Sequence, residues 1–189
     1  MLAQDFDCIL VLETFNDNPF LPLFYEDAER YALPVELFFM AERLEQMQTA
    51  VSDSKKEKKL LLTDYFFEKT DLFAQNNLKG DEYALFKRLF QLNADLIPTP
   101  DLLIYLHRSP NELLQNIKKR GRDYEKHIST DYLAHIEKMY FDYMRAEKKI
   151  PIIVLHVSDK YYHHTDDLYH FIKSLLIKKF ETGVQEFIF

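Results

Sequence analysis

Four short stretches of the chain are apolar almost without interruption: Cys8–Leu12, Leu60–Thr63, Leu102–His107 and Ile150–Val157. They do not alternate between apolar and polar residues, so each predicts a strand covered on both faces rather than one with a wet side. Roughly forty residues, much of them with helical periodicity, separate each run from the next. Spacing of that size calls for crossover connections and a parallel sheet, not hairpins. The expected fold is α/β, a three-layer parallel sheet with helices on both faces.

The helices follow from apolar spacing and end signals. Pro34, at a first-turn position, opens a helix over Pro34–Thr49, in which Leu37, Phe38, Met40 and Leu44 mix with Glu36, Arg43 and Glu45. Asp81 caps Glu82–Leu92. Ser129 caps a helix running to about Glu147, along which Leu133, Ile136, Met139, Tyr140 and Tyr143 form an apolar stripe. Thr165 or Asp166 starts the last helix, through about Phe180. The run Lys55–Lys59, broken only by Glu57, reads as a solvated loop before the second strand. The tail Gly183–Phe189 is apolar at its end, and either packs on the core or a partner or frays.

Composition narrows the class. With 189 residues and only 3 glycines, and with no Gly-Ser linker or repeat, the chain shows no internal boundary and is expected to be a single domain. Lone Cys8 cannot form an intramolecular disulfide, which points to a reducing cytoplasmic setting. No signal-peptide pattern or apolar run of membrane-spanning length occurs, so neither secretion nor a membrane is expected. The net charge of −7 argues against a nucleic-acid partner.

Against that charge, Lys118, Lys119, Arg120 and Arg122 cluster around Gly121. Asn111 to Ile117 reads as helix, so these cations fall at its C-terminal end, where the helix dipole favours them. Arginines flanking a hinge-capable glycine also suit a mobile clamp on phosphate oxygens.

In open parallel sheets the chemistry lies at the carboxyl ends of the strands. Glu13 follows the first strand, placed either to take a proton from a substrate hydroxyl or to serve as a surface or capping acid. Asp64 follows the second, where it can support Glu13 or hold Mg²⁺ through water. Glu36 and Arg43 lie seven residues apart on one helix face. They can read the polar edges of a flat substrate, with Phe38, Phe39 and Phe67 as stacking surfaces. Alternatively Arg43 pairs with Glu36 or Asp64 while the phenylalanines are core. His163, His164, Asp166 and Asp167 are metal-ligating in type, but their spacing matches no recurrent metal pattern, and no metal site is assigned.

Several pieces then occur in a telling order: Leu12-Glu13, Asn18-Pro19-Phe20, Phe24-Tyr25, the Glu36 to Arg43 helix, Asp64-Tyr65-Phe66-Phe67, Pro100 to Leu106, and Lys119-Arg120-Gly121-Arg122 with Glu125. This ordered set resembles the deoxynucleoside kinase family, in particular its bacterial deoxyadenosine/deoxyguanosine kinase-like branch, over nearly the whole chain. The resemblance implies a P-loop kinase-like fold and transfer of the ATP γ-phosphoryl group, with Mg²⁺, to the 5′-hydroxyl of a purine deoxynucleoside. It implies Glu13 as general base, Tyr25 and Glu125 on the sugar 3′-hydroxyl, Arg43 near the base, and Arg120 and Arg122 as lid arginines on the donor phosphates. Ser158 and Asp159 fall at its adenine-contacting loop. It also implies a homodimer, through helices near Pro34–Thr49 and Glu82–Leu92.

Three departures accompany the resemblance. Glu36 stands where many relatives have a base-pairing glutamine. An ionised carboxylate only accepts hydrogen bonds, so it suits guanine better than adenine unless it pairs with Arg43. Relatives outside this branch carry an acid followed by arginine where this chain has Asp64-Tyr65, which leaves the support of Glu13 unassigned. No G-x-x-x-x-G-K-[ST] motif occurs, the glycines being Gly80, Gly121 and Gly183. The expectation is a chain without the family's first strand and phosphate loop, through a late start site or as a fragment, and therefore impaired as a kinase. Met1 to Phe6 reads as the end of the helix that follows that loop. The alternatives are a catalytically inactive nucleoside-binding or dimer-forming subunit and, within the enzyme class, a nucleoside monophosphate kinase.

Overall fold

The computed structural model of the chain describes residues 1–14, 18–157 and 165–189. The chain falls into two compact units, Met1–Pro98 and Thr99–Phe189. Composition gave no sign of this division, although Pro98 and Pro100 flank it.

The first unit contains α1 (Leu2–Asp5), β1 (Cys8–Val11), α2 (Leu21–Glu26), α3 (Ala28–Glu57), β2 (Leu60–Thr63), α4 (Lys69–Asn77) and α5 (Gly80–Ala94). Strands β1 and β2 run parallel with Cys8 opposite Leu60 and Val11 opposite Thr63. The long α3 makes the crossover between them. On the face toward α3, Val11 and Ile9 pack with Met47, Ala50 and Val51. Leu10, of opposite parity on β1, is exposed. A larger core joins Phe24 of α2, Val35 and Met40 of α3, Phe67, Ala74 of α4, and Phe86 and Phe90 of α5.

Helix α3 departs from its expected bounds at both ends. It begins at Ala28, where the Asp27 side chain accepts the Arg30 N–H as a cap, and Pro34 lies inside it. The lysine run is not a loop: Lys55 and Lys56 form the last turn, favoured there by the helix's negative end, and Lys58 closes it at φ 56°. Helix α5 starts at Gly80, so Asp81 lies in its first turn and does not cap it.

The second unit contains β3 (Leu103–His107), α6 (Pro110–Arg120), a 3₁₀ turn at Asp123–Glu125, α7 (Thr130–Ala146), β4 (Pro151–His156), α8 (Thr165–Leu175) and β5 (Gly183–Ile188). Its sheet runs β3-β4-β5, all parallel. Here the unbroken apolar run has the consequence expected of it. On β4, Ile152 and Val154 pack toward Met144 and Tyr140 of α7, while Ile153 and Leu155 pack toward Leu175, Phe171 and Leu168 of α8. A sheet with helices on both faces buries consecutive residues, which is why no polar alternation appears. The apolar tail is β5 itself, pairing with β4 from Gly183 opposite Pro151 to Ile188 opposite His156. Ser129 caps α7 as expected, accepting the Tyr132 N–H.

Among the described residues no helix is long and apolar enough to cross a membrane.

Candidate active site

The carboxyl ends of β1 and β2 bring Glu13 and Asp64 together. The Glu13 N–H donates to Asp64 Oδ1 at 2.9 Å, and the Asp64 N–H to the Val11 carbonyl at 3.2 Å. Asp64 therefore fixes the backbone that presents Glu13.

Two cations hold the Glu13 carboxylate. Arg43 donates to Oε1 through Nε at 2.9 Å and Nη2 at 2.6 Å. Lys69, the first residue of α4, donates to Oε2 at 2.6 Å. The third Arg43 arm, Nη1, goes to the buried Thr70 hydroxyl at 3.0 Å. Phe39 and Tyr65 flank the guanidinium, their ring centres 5.0 and 5.8 Å from it. Burial alone would raise the Glu13 pKa; the charges of Arg43 and then Lys69, with their hydrogen bonds, outweigh it and hold the carboxyl below its ordinary range. Burial in turn pulls the Lys69 ammonium below its ordinary range, against the attraction of Glu13.

Lys69 answers the question left by the missing arginine. Tyr65 stands at that position and bonds instead to Gln46, its hydroxyl donating to Oε1 at 2.9 Å, while Gln46 donates to the Thr14 hydroxyl at 2.7 Å. The expected partners of Arg43 are corrected too: neither Glu36 nor Asp64 takes its hydrogen bonds, because Glu13 and Thr70 occupy its Nε, Nη1 and Nη2.

Glu36 lies deeper on α3, buried, with Asn77 Nδ2 donating to its Oε1 at 2.7 Å. Burial, opposed first by that hydrogen bond, pushes its pKa up to about 7. Phe67 is 3% exposed and stacks on Phe90 with ring centres 5.2 Å apart. The stacking surface expected of it is thus taken up by the core. Tyr25 sits on α2, edge-on to Phe24 at 5.4 Å. The buried Asn18 donates to the Val35 carbonyl at 3.4 Å and accepts the Phe20 N–H at 2.9 Å, tying the segment after β1 to α3.

In the second unit, α6 opens with a capping box, Ser109 and Glu112 satisfying each other's backbone N–H groups, and ends at Gly121 with φ 72°. Its last turn carries Lys118, Lys119 and Arg120. The chain then folds back so that buried Glu125 receives two guanidiniums. Arg120 bonds it from Nε at 3.2 Å and from Nη2 at 2.8 and 2.7 Å, and Arg122 from Nη1 at 3.2 Å. Arg120, Arg122 and Glu125 thus form one cluster, as Glu13, Arg43, Asp64 and Lys69 form another. Ser158, Asp159, His163 and His164 lie outside the described residues.

Lys69, Thr70, Asn77 and Gln46 were not singled out from sequence. The signal available was Lys69, a cation a few positions past the end of β2, but no helix was expected over Lys69–Asn77.

Among the described residues no three His, Cys, Asp or Glu side chains converge as a metal cage.

Comparison with known proteins gives a consistent result. Residues 1–179 match the family model described as deoxynucleoside kinase. The chain is 33% identical over 150 residues to a deoxyguanosine kinase of Bacillus subtilis, covering 79% of this chain and 71% of that protein. It is 31% identical over 170 residues to a deoxyadenosine kinase of Lactobacillus acidophilus, covering 80% and 76%. In structure it is similar to deoxyadenosine kinase from M. mycoides, solved with dCMP and dCDP, with a TM-score of 0.76 at 20% identity over 93% of this chain and 90% of that one.

Proposed function

The chain belongs to the deoxynucleoside kinase family, and from that premise we propose that it serves phosphoryl transfer from ATP to the 5′-hydroxyl of a purine deoxynucleoside, with Glu13 as general base. The observation that carries this reading is the Glu13 carboxylate, presented by Asp64 at a strand tip and bonded by Arg43 and Lys69. Held ionised, it can accept the proton of a substrate hydroxyl, and its partners keep it aimed.

Arg120 and Arg122 contact the donor phosphates. Both are already gathered on Glu125, and a phosphate competes with that carboxylate for forks that fit either. Release of Glu125 frees it to bond the sugar 3′-hydroxyl, with Tyr25 as the other contact. Mg²⁺ brought with the nucleotide neutralises phosphate charge; Asp64 would reach it through water. Glu36 faces the base, near Arg43, and Ser158 and Asp159 serve the adenine of ATP. A second copy of the chain is the partner. Helix α5, whose Leu85 and Leu92 are 51% and 69% exposed, supports that pairing, and sedimentation should return a dimer mass that Leu85→Glu with Leu92→Glu reduces to a monomer.

The decisive assay is ATP-dependent phosphorylation of the four deoxynucleosides, by this chain and by a form extended upstream to the next in-frame start. Activity is expected on purines, falling by about 10² to 10⁴-fold in Glu13→Gln while deoxynucleoside binding persists. Binding without turnover in either form would instead identify a nucleoside-binding subunit.

A further inference from the structure

Side chains interlock in pairs at the tips of β1 and β2. Glu13 and Thr14 follow β1, Asp64 and Tyr65 follow β2, and α3 presents Arg43 and Gln46. Positions three apart on a helix are neighbours on its surface, so one face of α3 reaches both members of the first pair. Arg43 bonds the Glu13 carboxylate, and Gln46 Nε2 donates to the Thr14 hydroxyl at 2.7 Å. The second pair closes the framework. Asp64 accepts the Glu13 N–H at 2.9 Å, and the Tyr65 hydroxyl donates to Gln46 Oε1 at 2.9 Å.

Tyr65 anchors the Gln46 side of this framework. It is 5% exposed and packs with Val11, Met47 and Ala50, and the Thr63 hydroxyl donates to its carbonyl. Burial pushes its pKa up to about 12, so the phenol keeps its proton and remains a donor at working pH. A donor at Oε1 fixes which end of the Gln46 amide faces Tyr65 and turns the NH₂ end to Thr14. Thr14 is exposed and takes little of its placement from packing. The bond from Gln46 ties it to α3.

These contacts differ in kind from those on the carboxylate. Arg43 and Lys69 are cations, and together with burial they set the charge state of Glu13. Tyr65, Gln46 and Thr14 are neutral, and their bonds hold the chain beside Glu13. We propose that Tyr65 and Gln46 are positioning residues for the general base: through Thr14 they fix where the Glu13 carboxylate points without altering its charge. The inference rests on the reading of Glu13 given above and adds a division of labour, with charge set by Arg43 and Lys69 and placement by Tyr65 and Gln46. Placement matters because a misplacement of about 1 Å can cost about 10²-fold in rate.

The first test is NMR of the intact chain. Gln46→Leu and Thr14→Val should each speed exchange of the Glu13 amide proton, by about tenfold. The paired amides of β1 should stay protected, and the Glu13 carboxyl should titrate where it does in the unmodified chain. Thr14→Ser keeps the hydroxyl and should keep the protection. Gln46→Leu combined with Thr14→Val should do no more than either alone, because both break one chain of bonds. In whichever form turns over, Gln46→Leu should lower kcat by about tenfold to 10²-fold, with the deoxynucleoside KM and the acid limb of the pH–rate profile unmoved. Unchanged amide exchange, or a displaced Glu13 titration, overturns the proposal whether or not the chain is a kinase. So does a kcat that survives the loosening of Glu13. Absence of turnover in every form overturns the kinase reading alone, since amide exchange and titration still decide the brace.

Discussion

A carboxylate that accepts a proton from an alcohol must be ionised at working pH without being so stabilised that it refuses the proton. Glu13 is balanced between these demands by burial on one side and Arg43 with Lys69 on the other. Because its folded pKa is depressed, its interactions stabilise the protein above its unfolded value and are lost as pH falls through the folded one. Removing Lys69 while keeping its apolar stem, as Lys69→Met, should raise the Glu13 pKa and move the acid limb of the pH–rate profile upward, with a smaller effect on the plateau. An unmoved limb would show that Arg43 alone sets the charge state. At this scale the sequence was informative where topology restricts the choice: Glu13 and Asp64 were found because they follow strands. It failed for Lys69 and Asn77, whose roles depend on the direction of α4, and it misjudged Phe67, since an aromatic ring reads alike whether it faces a ligand or Phe90.

Strands were more legible than helices, for a physical reason. Burial on both faces writes an unbroken apolar run, and the four expected runs match β1 to β4 to within a residue or so at each end. Helix ends depend on single caps and are easily misplaced: Pro34 suggested a start that the Asp27 cap actually provides about two turns earlier. Strand β5 was legible only as an apolar tail because Gln185 and Glu186 interrupt it, an edge strand needing less burial than β4. Its register makes a sharp prediction. Phe187 packs with Phe171 at 5.3 Å between ring centres, within the core that holds Ile153 and Leu155. Phe187→Ala should therefore cost about 2–4 kcal/mol in urea unfolding. Ile188, 85% exposed, should tolerate alanine to within about 0.5 kcal/mol. Equal and negligible losses at both positions would mean the tail frays instead of pairing.

At the scale of the whole chain, the fold class was carried by the apolar runs and their spacing, and the family by an ordered set of short motifs, none of them requiring the three-dimensional contacts that define the site. The charge distribution carries a further consequence. A chain of net charge −7 repels a polyanionic nucleotide at long range. The last turn of α6 and the residue after Gly121 must overcome that repulsion locally, with Lys118, Lys119, Arg120 and Arg122. A deoxynucleoside, being neutral, feels neither field. ATP affinity is accordingly expected to fall as salt rises, screening at 0.1 M acting over about 10 Å, while deoxynucleoside affinity stays level. Replacing Arg120 and Arg122 together by glutamine should remove most of the affinity and much of its salt dependence, because Lys118 and Lys119 alone are then left against the repulsive background. Should the double variant keep a steep salt slope for ATP, the phosphates are held by other cations, and the lid assignment fails even if the chain is an active kinase.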